Sequence, residues 1–479
     1  MPVGGNINVT SGSITITGTP TVNVGNSVEI SNDIGNPIPV SGNINVTSGS
    51  ITITGTPTVN VGNSVEISND IGNPIPVTGN VTATLSGTSN ISFTATQTDA
   101  FGRLRVSEPF TIIDAFNRYQ DNGYYAYSTS GSGSTGYDAN NASILLNVGS
   151  GASDAVYAET IRVFAYQPGK SLLVMQTFTF AAPKTNLTQR AGYFDANNGI
   201  YLEQVGTTVN IVKRSSSTGS IVETRVAQNA WNVNTLSSLD LTKSQIFWMD
   251  LEWLGVGSVR CGFVINGQFV HCHTFNHANL ITGVYMSTSC LPIRKEIFNT
   301  GLSSGTSTMN VICHTVISEG GYTLNGKPGC VGNTLGTPIS LPNDLTFKPV
   351  MSIRLKNTRL GAIVLPTTFT VSPVQQAIYK YQIYTKAITT GGTWTSFAND
   401  SSVEYNISPS TISSGSVTNT GFINASNQTS GALTNSAFPF FYQLERDSFA
   451  LTMYEIVIAV ASSTNSTSCY GSINWEEVT

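Results

Sequence analysis

From Gly5 onward the apolar residues come as short triplets, Ile7-x-Val9, Ile14-x-Ile16, Val22-x-Val24, Val28-x-Ile30 and Ile38-x-Val40, separated by Ser-Gly, Gly-Thr-Pro, Gly-Asn and Gly-Asn-Pro. A period of two puts both aliphatic side chains of a triplet on one face of an extended segment, and the separators are turn chemistry. Each triplet therefore predicts a short strand. Residues Gly5 to Val40 recur unchanged as Gly42 to Val77, and a degenerate third unit opens at Gly79. With so few aliphatic side chains per strand and no aromatic residue before Phe93, residues 1–98 cannot close a core within one chain. The expected arrangement is a repetitive β-shaft in which copies of the chain bury their Ile/Val rows along a common axis as a homotrimer. Repeats stacked in this way let an added unit lengthen the rod.

The pattern changes at Thr98-Asp99. Over 99–322, runs such as ETIRVFAY, SLLVMQTFTF, GIYLEQV, TVNIVKR, QIFWMDLEWL, VRCGFVI, QFVHCHTF and NVICHTVIS alternate with turn residues, which predicts an antiparallel β-sandwich or jelly-roll body. A Gly/Pro-rich bridge, NGKPGCVGNTLGTPISLPNDL, leads into VMSIRLK, GAIVLPTTFTV, YKYQIYTKAI, SVEYNI and YEIVIAVAS, read as a separate C-terminal β subdomain over 323–479. The polar stretch from Thr411 to Phe438 reads as a long surface loop. No helical period is sustained, so the fold class is all-β.

Composition narrows the partners. Charged residues make up 10% of the chain and the net charge is −5, with no Lys or Arg before Arg103, so no basic stripe offers a footprint for nucleic acid. No apolar run is long enough for membrane insertion. The opening MPVGGNINVT lacks the basic and apolar regions of a secretory signal, so release by lysis or within a particle is expected.

Candidate chemistry is sparse. Asp250 and Glu252 in WMDLEW point to one side of a strand near Trp248, a spacing that a polysaccharide-cleaving carboxylate pair would need. Acidic residues on an exposed strand face are the simpler account, and no catalytic residue is assigned. His271 and His273 share a strand face with His277 just beyond, but no carboxylate interleaves, so neither a metal nor any other cofactor is expected. The Asn266-Gly267 hairpin sets Cys261 opposite Cys272 at a hydrogen-bonded pair, which favours two buried thiols over a disulfide. The DANN segments at Asp138 and Asp195 read as Asx turns rather than calcium sites, and the N-x-S/T triplets at Asn8, Asn45 and Asn406 follow from composition. Tyr124, Tyr125 and Tyr127 are candidate exposed contacts for a glycan.

DAFGRLRVSEPFT, PGKSLLVMQTF, YFDANNGIYLEQ, QIFWMDLEWLGVGSVRCGFVINGQ, FNHAN and ISEGGY together resemble a group of tailed-bacteriophage virion structural proteins, over about residues 99–322. The resemblance implies a structural or fibre-like virion component and no chemistry. The expected function is a non-enzymatic fibre that binds a host-surface glycan or other virion proteins. A capsid decoration, neck or head-fibre protein is the first alternative, and a polysaccharide depolymerase spike the second.

Overall fold

Strict alternation organises the strand Leu172–Thr179, whose Leu172, Val174, Gln176 and Phe178 turn inward while the residues between them stay half-exposed. In the computed structural model, residues 108–322, 326–343, 345–426, 433–436 and 442–478 are described, all within the unit Ser92–Thr479. The expected shaft over 1–98, its trimer and the boundary at residue 98 lie outside these residues. The described chain is all-β, with one short 3₁₀ turn at Gln228–Ala230 and no α-helix.

Two antiparallel sheets build the first sandwich. An eight-stranded sheet runs Gln268–Phe275, Val259–Ile265, Gln245–Leu251, Leu172–Thr179, Ser307–Ser318, Ser143–Val148 and Ser134–Asp138, with Phe110–Phe116 also paired to Ser307–Ser318. A seven-stranded sheet runs Val222–Ala227, Thr208–Ser215, Gly199–Val205, Leu187–Phe194, Ile293–Asn299, Ala155–Thr160 and Tyr125–Ser130. Their facing sides bury one core that includes Phe178, Phe247, Phe263, Tyr193 and Ile297.

Strands after residue 326 form sheets of their own. A five-stranded sheet centred on Ser468–Val478 faces a six-stranded sheet containing Lys348–Leu355, Glu455–Ser462 and Ala377–Thr390, around a second core with Trp475 and Tyr379. The two sandwiches touch through a small apolar cluster of Val163, Ala165, Ile363 and Leu365. Beside it, Leu444 N–H donates to Val364 O and Arg446 N–H to Ile161 O, so one short segment bonds to both halves.

Two expectations need correction. The polar stretch after Thr411 is not loop throughout: Thr411–Ala425 is a strand paired along Ala377–Thr390. Its sequence looks like loop because it sits at a sheet edge, where nearly every side chain faces water. The hairpin turn at Asn266 and Gly267 has positive φ at both positions, as a type I′ turn requires, and pairs Ile265 with Gln268 and Phe263 with Val270. Beyond Gly262, however, the register shifts, so Cys261 faces His273 and Cys272 is the extra residue of a β-bulge.

Candidate functional site

The bulge separates the histidines. His271 lies outside the core against Trp248, with ring centroids 5.9 Å apart, and its Nε2 is 2.8 Å from the Thr274 hydroxyl. His273 turns to the core side, edge-on to Phe275 at 4.6 Å, and its Nδ1 accepts the Asn232 N–H. The two therefore do not share a face, contrary to the simple alternation of the sequence. His277 is stacked on Tyr285 at 4.0 Å. No group of His, Cys, Asp or Glu able to hold a metal occurs among the described residues. Cys261 and Cys272 are both buried free thiols, and burial pushes Cys272 up to about 11.

Asp250 and Glu252 do meet in one cleft. It has a volume of about 460 Å³ and is lined by Tyr166, Lys170, Ser171, Asp250, Glu252 and Arg260, with Gly169 and Ser258 completing the rim. Sheet register places the pieces: Asp250 sits opposite Arg260 on one neighbour and Leu173 on the other, close to the start of the strand that follows Ser171. Its carboxylate accepts from the Ser171 hydroxyl on one oxygen and from the Arg260 guanidinium on the other. Glu252 follows the strand end in a tight turn, with its N–H on Ser258 O at 3.0 Å and Gly257 N–H on Trp253 O at 2.7 Å. Glu252 is exposed and its carboxylate forms no ion pair among the described residues. Lys170 is tied back to Gln167 Oε1 at 2.8 Å and Gly321 O at 3.1 Å. Tyr166 is buried edge-on to Trp253 at 6.3 Å, and its burial raises the phenol above its ordinary range.

The arrangement is a polar recess with fixed donors and one open carboxylate. It can hydrogen-bond a hydroxylated ligand. Of its two carboxylates, that of Asp250 is held by Ser171 and Arg260, and that of Glu252 is open. Sequence reasoning found the acidic pair and missed Lys170, Ser171 and Arg260, which come from other strands and loops. Arg260 alone had a signal, since it is the second residue of the strand after the WMDLEW turn.

The tyrosines differ in burial: Tyr125 and Tyr127 share a face of one strand, with ring centroids 6.2 Å apart, and Tyr124 precedes it. Tyr125 is 6% exposed, so it is not the surface contact the sequence indicates. Lys295 Nζ donates to its hydroxyl at 2.6 Å, and His314 Nδ1 lies 2.9 Å from the same oxygen. Tyr127 is half-buried and donates to Asp121 at 2.5 Å, while Tyr124 is half-buried under the Arg162 guanidinium at 5.8 Å. The Asp138 and Asp195 segments are Asx turns: each carboxylate accepts N–H groups two and three residues on, Asn140 and Asn141 for the first, Asn197 and Asn198 for the second.

No protein-family model and no curated protein matches the sequence. Among solved structures, a Bacillus licheniformis beta-glucanase is similar at TM-score 0.28 and 13% identity, covering 44% of this chain and 97% of that one. A legume lectin-like domain from Entamoeba histolytica is similar at TM-score 0.28 and 10% identity, covering 43% and 96%. The CBM2 module of the evolved Dit of Lactobacillus casei BL23 phage J-1 is similar at TM-score 0.31 and 7% identity, covering 46% and 100%. Nothing passes from these proteins to the residues of the cleft.

Proposed function

We propose that the chain is a non-enzymatic bacteriophage virion fibre protein whose β-sandwich body attaches the particle to a host-surface glycan or to another virion protein. The observation that carries the non-enzymatic half is the Asp250 carboxylate, both of whose oxygens are engaged by Ser171 and Arg260, so that the cleft offers recognition groups in place of a reactive pair. The fibre half rests on the Ile/Val repeat, whose narrow apolar rows call for burial by partner chains. Attachment through several linked copies gains affinity by effective concentration, so each site need bind only weakly.

Purified protein added in excess to host cells is expected to block adsorption of the particles that carry it. Unchanged adsorption together with heat- or osmotic-sensitive particles lacking the protein supports a capsid decoration or neck role instead. A monomer at micromolar concentration by light scattering removes the fibre reading. Clearing of host polysaccharide by wild type, lost in Asp250→Asn and Glu252→Gln, makes the protein a depolymerase.

A further inference from the structure

A second cleft, of about 410 Å³, opens beside the strand Thr208–Ser215, and Lys213, Thr224, Thr282, Ile281, Val284 and Tyr285 are among its lining residues. Lys213 is half-buried and forms no ion pair among the described residues. Its Nζ lies 3.0 Å from His277 Nε2, and His277 Nδ1 lies 2.6 Å from Gly257 O. A carbonyl only accepts, so the His277 proton sits on Nδ1 and Nε2 is the acceptor for the ammonium. The hydrogen-bond partner of Lys213 is therefore a neutral ring, and the Phe275 ring, whose centroid is 5.7 Å from Nζ, is a second neutral neighbour. Burial draws both groups below their ordinary ranges, and the lysine adds to the effect on His277.

An ammonium with one neutral acceptor and one neutral ring beside it keeps further N–H donors and a charge that no anion balances. The hydroxyls of Thr224 and Thr282 make no hydrogen bond among the described residues. Ile281 and Val284 add aliphatic surface, 38% and 42% exposed. One uncompensated cation, free hydroxyls and an aliphatic wall match a ligand with one negative charge, several hydroxyls and an apolar ring face.

We propose that this cleft binds a uronate residue of an acidic polysaccharide, its carboxylate on Lys213, its ring hydroxyls on Thr224 and Thr282, and its C–H face against Ile281 and Val284. A single lysine balances a monoanion, whereas a phosphate dianion would keep an unmatched charge. The proposal names a ligand class for the attachment function above and rests on that reading for its biological role.

The test is calorimetric titration of the full chain with tri-galacturonate, with the corresponding neutral trisaccharide and with acetate. Wild type is expected to prefer the acidic over the neutral sugar by about tenfold or more, the scale of one charge-assisted hydrogen bond. Lys213→Met, which keeps the stem packing, is expected to erase that preference. Thr282→Val leaves the lysine in place and is expected to weaken the acidic sugar severalfold. Equal affinity for both sugars, or an acidic preference that survives in Lys213→Met, overturns the proposal. Acetate binding as tightly as tri-galacturonate overturns the sugar assignment. Failure to bind uronate while the protein still blocks particle adsorption sinks this cleft alone. Uronate binding without any block of adsorption supports the cleft and removes the attachment reading.

Discussion

Arg446 and Glu159, 287 positions apart in the chain, form a buried ion pair between the two sandwiches, with Nη2 on Glu159 Oε1 at 2.9 Å. Arg446 Nη1 also donates to Thr160 O at 2.9 Å, and its neighbour Glu445 pairs with Arg162 at 2.7 Å. Glu159 is the first acid of an alternating ribbon that crosses the seven-stranded sheet. From it the contacts pass to Arg294 at 2.5 Å, Glu296 at 2.7 Å, Arg190 at 2.9 Å, Glu203 at 2.8 Å and Arg225 at 2.8 Å, then to Glu223 and Arg214. Arg294 also lies over the Tyr157 and Phe449 rings, at 5.6 and 5.2 Å. Each buried charge has an opposite partner, which is the condition under which such a network persists.

Removing the end of this ribbon should loosen one sandwich from the other. Arg446→Met leaves Glu159 with Arg294 as its remaining partner and strands part of a buried charge, at a cost of about 2–4 kcal/mol. Differential scanning calorimetry is expected to show one coupled transition in wild type and two separated ones in the variant. A single unshifted transition in Arg446→Met would mean that the apolar cluster of Val163, Ala165, Ile363 and Leu365 carries the coupling.

Stability should climb between pH 7 and 8 because of Lys295. Its side chain is fully buried beside Tyr125 and His314, with Cys313 nearby, and burial draws it down to about 7. In the unfolded chain a lysine titrates near about 10.4. Between these values the unfolded state binds a proton that the native state does not, so unfolding becomes harder as pH rises, by up to a few kcal/mol. Below about 7 the lysine is charged in both states and the term is flat. His314, drawn well below its ordinary range by burial and by Lys295, adds a slope of the same sign below about 6.5. Urea midpoints of wild type are expected to rise from pH 7 to 8, below the range in which the buried thiols titrate in the unfolded chain, and those of Lys295→Met to stay level over that span.

Much of the fold was legible because most strands bury one face. SLLVMQTFTF shows a period of two, and Asn266-Gly267 names its own turn. The bulge at Cys272 was not legible, since an inserted residue leaves the apolar pattern intact until the partner register is known. Ile293–Asn299 was missed for a different reason: in IRKEIFN the charged residues look like surface, yet Arg294, Lys295 and Glu296 are all buried by partners on strands more than a hundred positions away. The candidate site was half legible. Asp250 and Glu252 stand two apart in the sequence, but the groups that neutralise or frame them arrive through sheet pairing.

The thiols give a check on the packing of the hairpin. Cys261, Cys272 and Cys469 are buried, whereas Cys330 is exposed on the strand Lys327–Gly332. Reaction with iodoacetamide at pH 8 is expected to label Cys330 quickly and these three buried thiols only after unfolding, because burial also raises their thiol values and suppresses the thiolate. Rapid labelling of Cys272 in the native protein would place the bulge at the surface.

The turn that presents Glu252 holds two glycines, Gly255 at positive φ and Gly257 at a close backbone approach. A Cβ at Gly257 would stand 2.1 Å from Glu252 O and 2.7 Å from its carbonyl carbon, a contact that backbone atoms can relieve only by moving. The Gly257 carbonyl also fixes the His277 tautomer, so displacement of this turn reaches Lys213 through the imidazole. Gly257→Ala is therefore expected to cost about 1–3 kcal/mol in stability, the usual price of forced overpacking. It should also disturb both clefts at once, whereas Glu252→Gln alters only the first. Proton spectra of the His277 ring report the difference: its resonances are expected to shift in Gly257→Ala and to hold in Glu252→Gln. An unshifted ring in Gly257→Ala would show that the turn and the lysine cleft are independent.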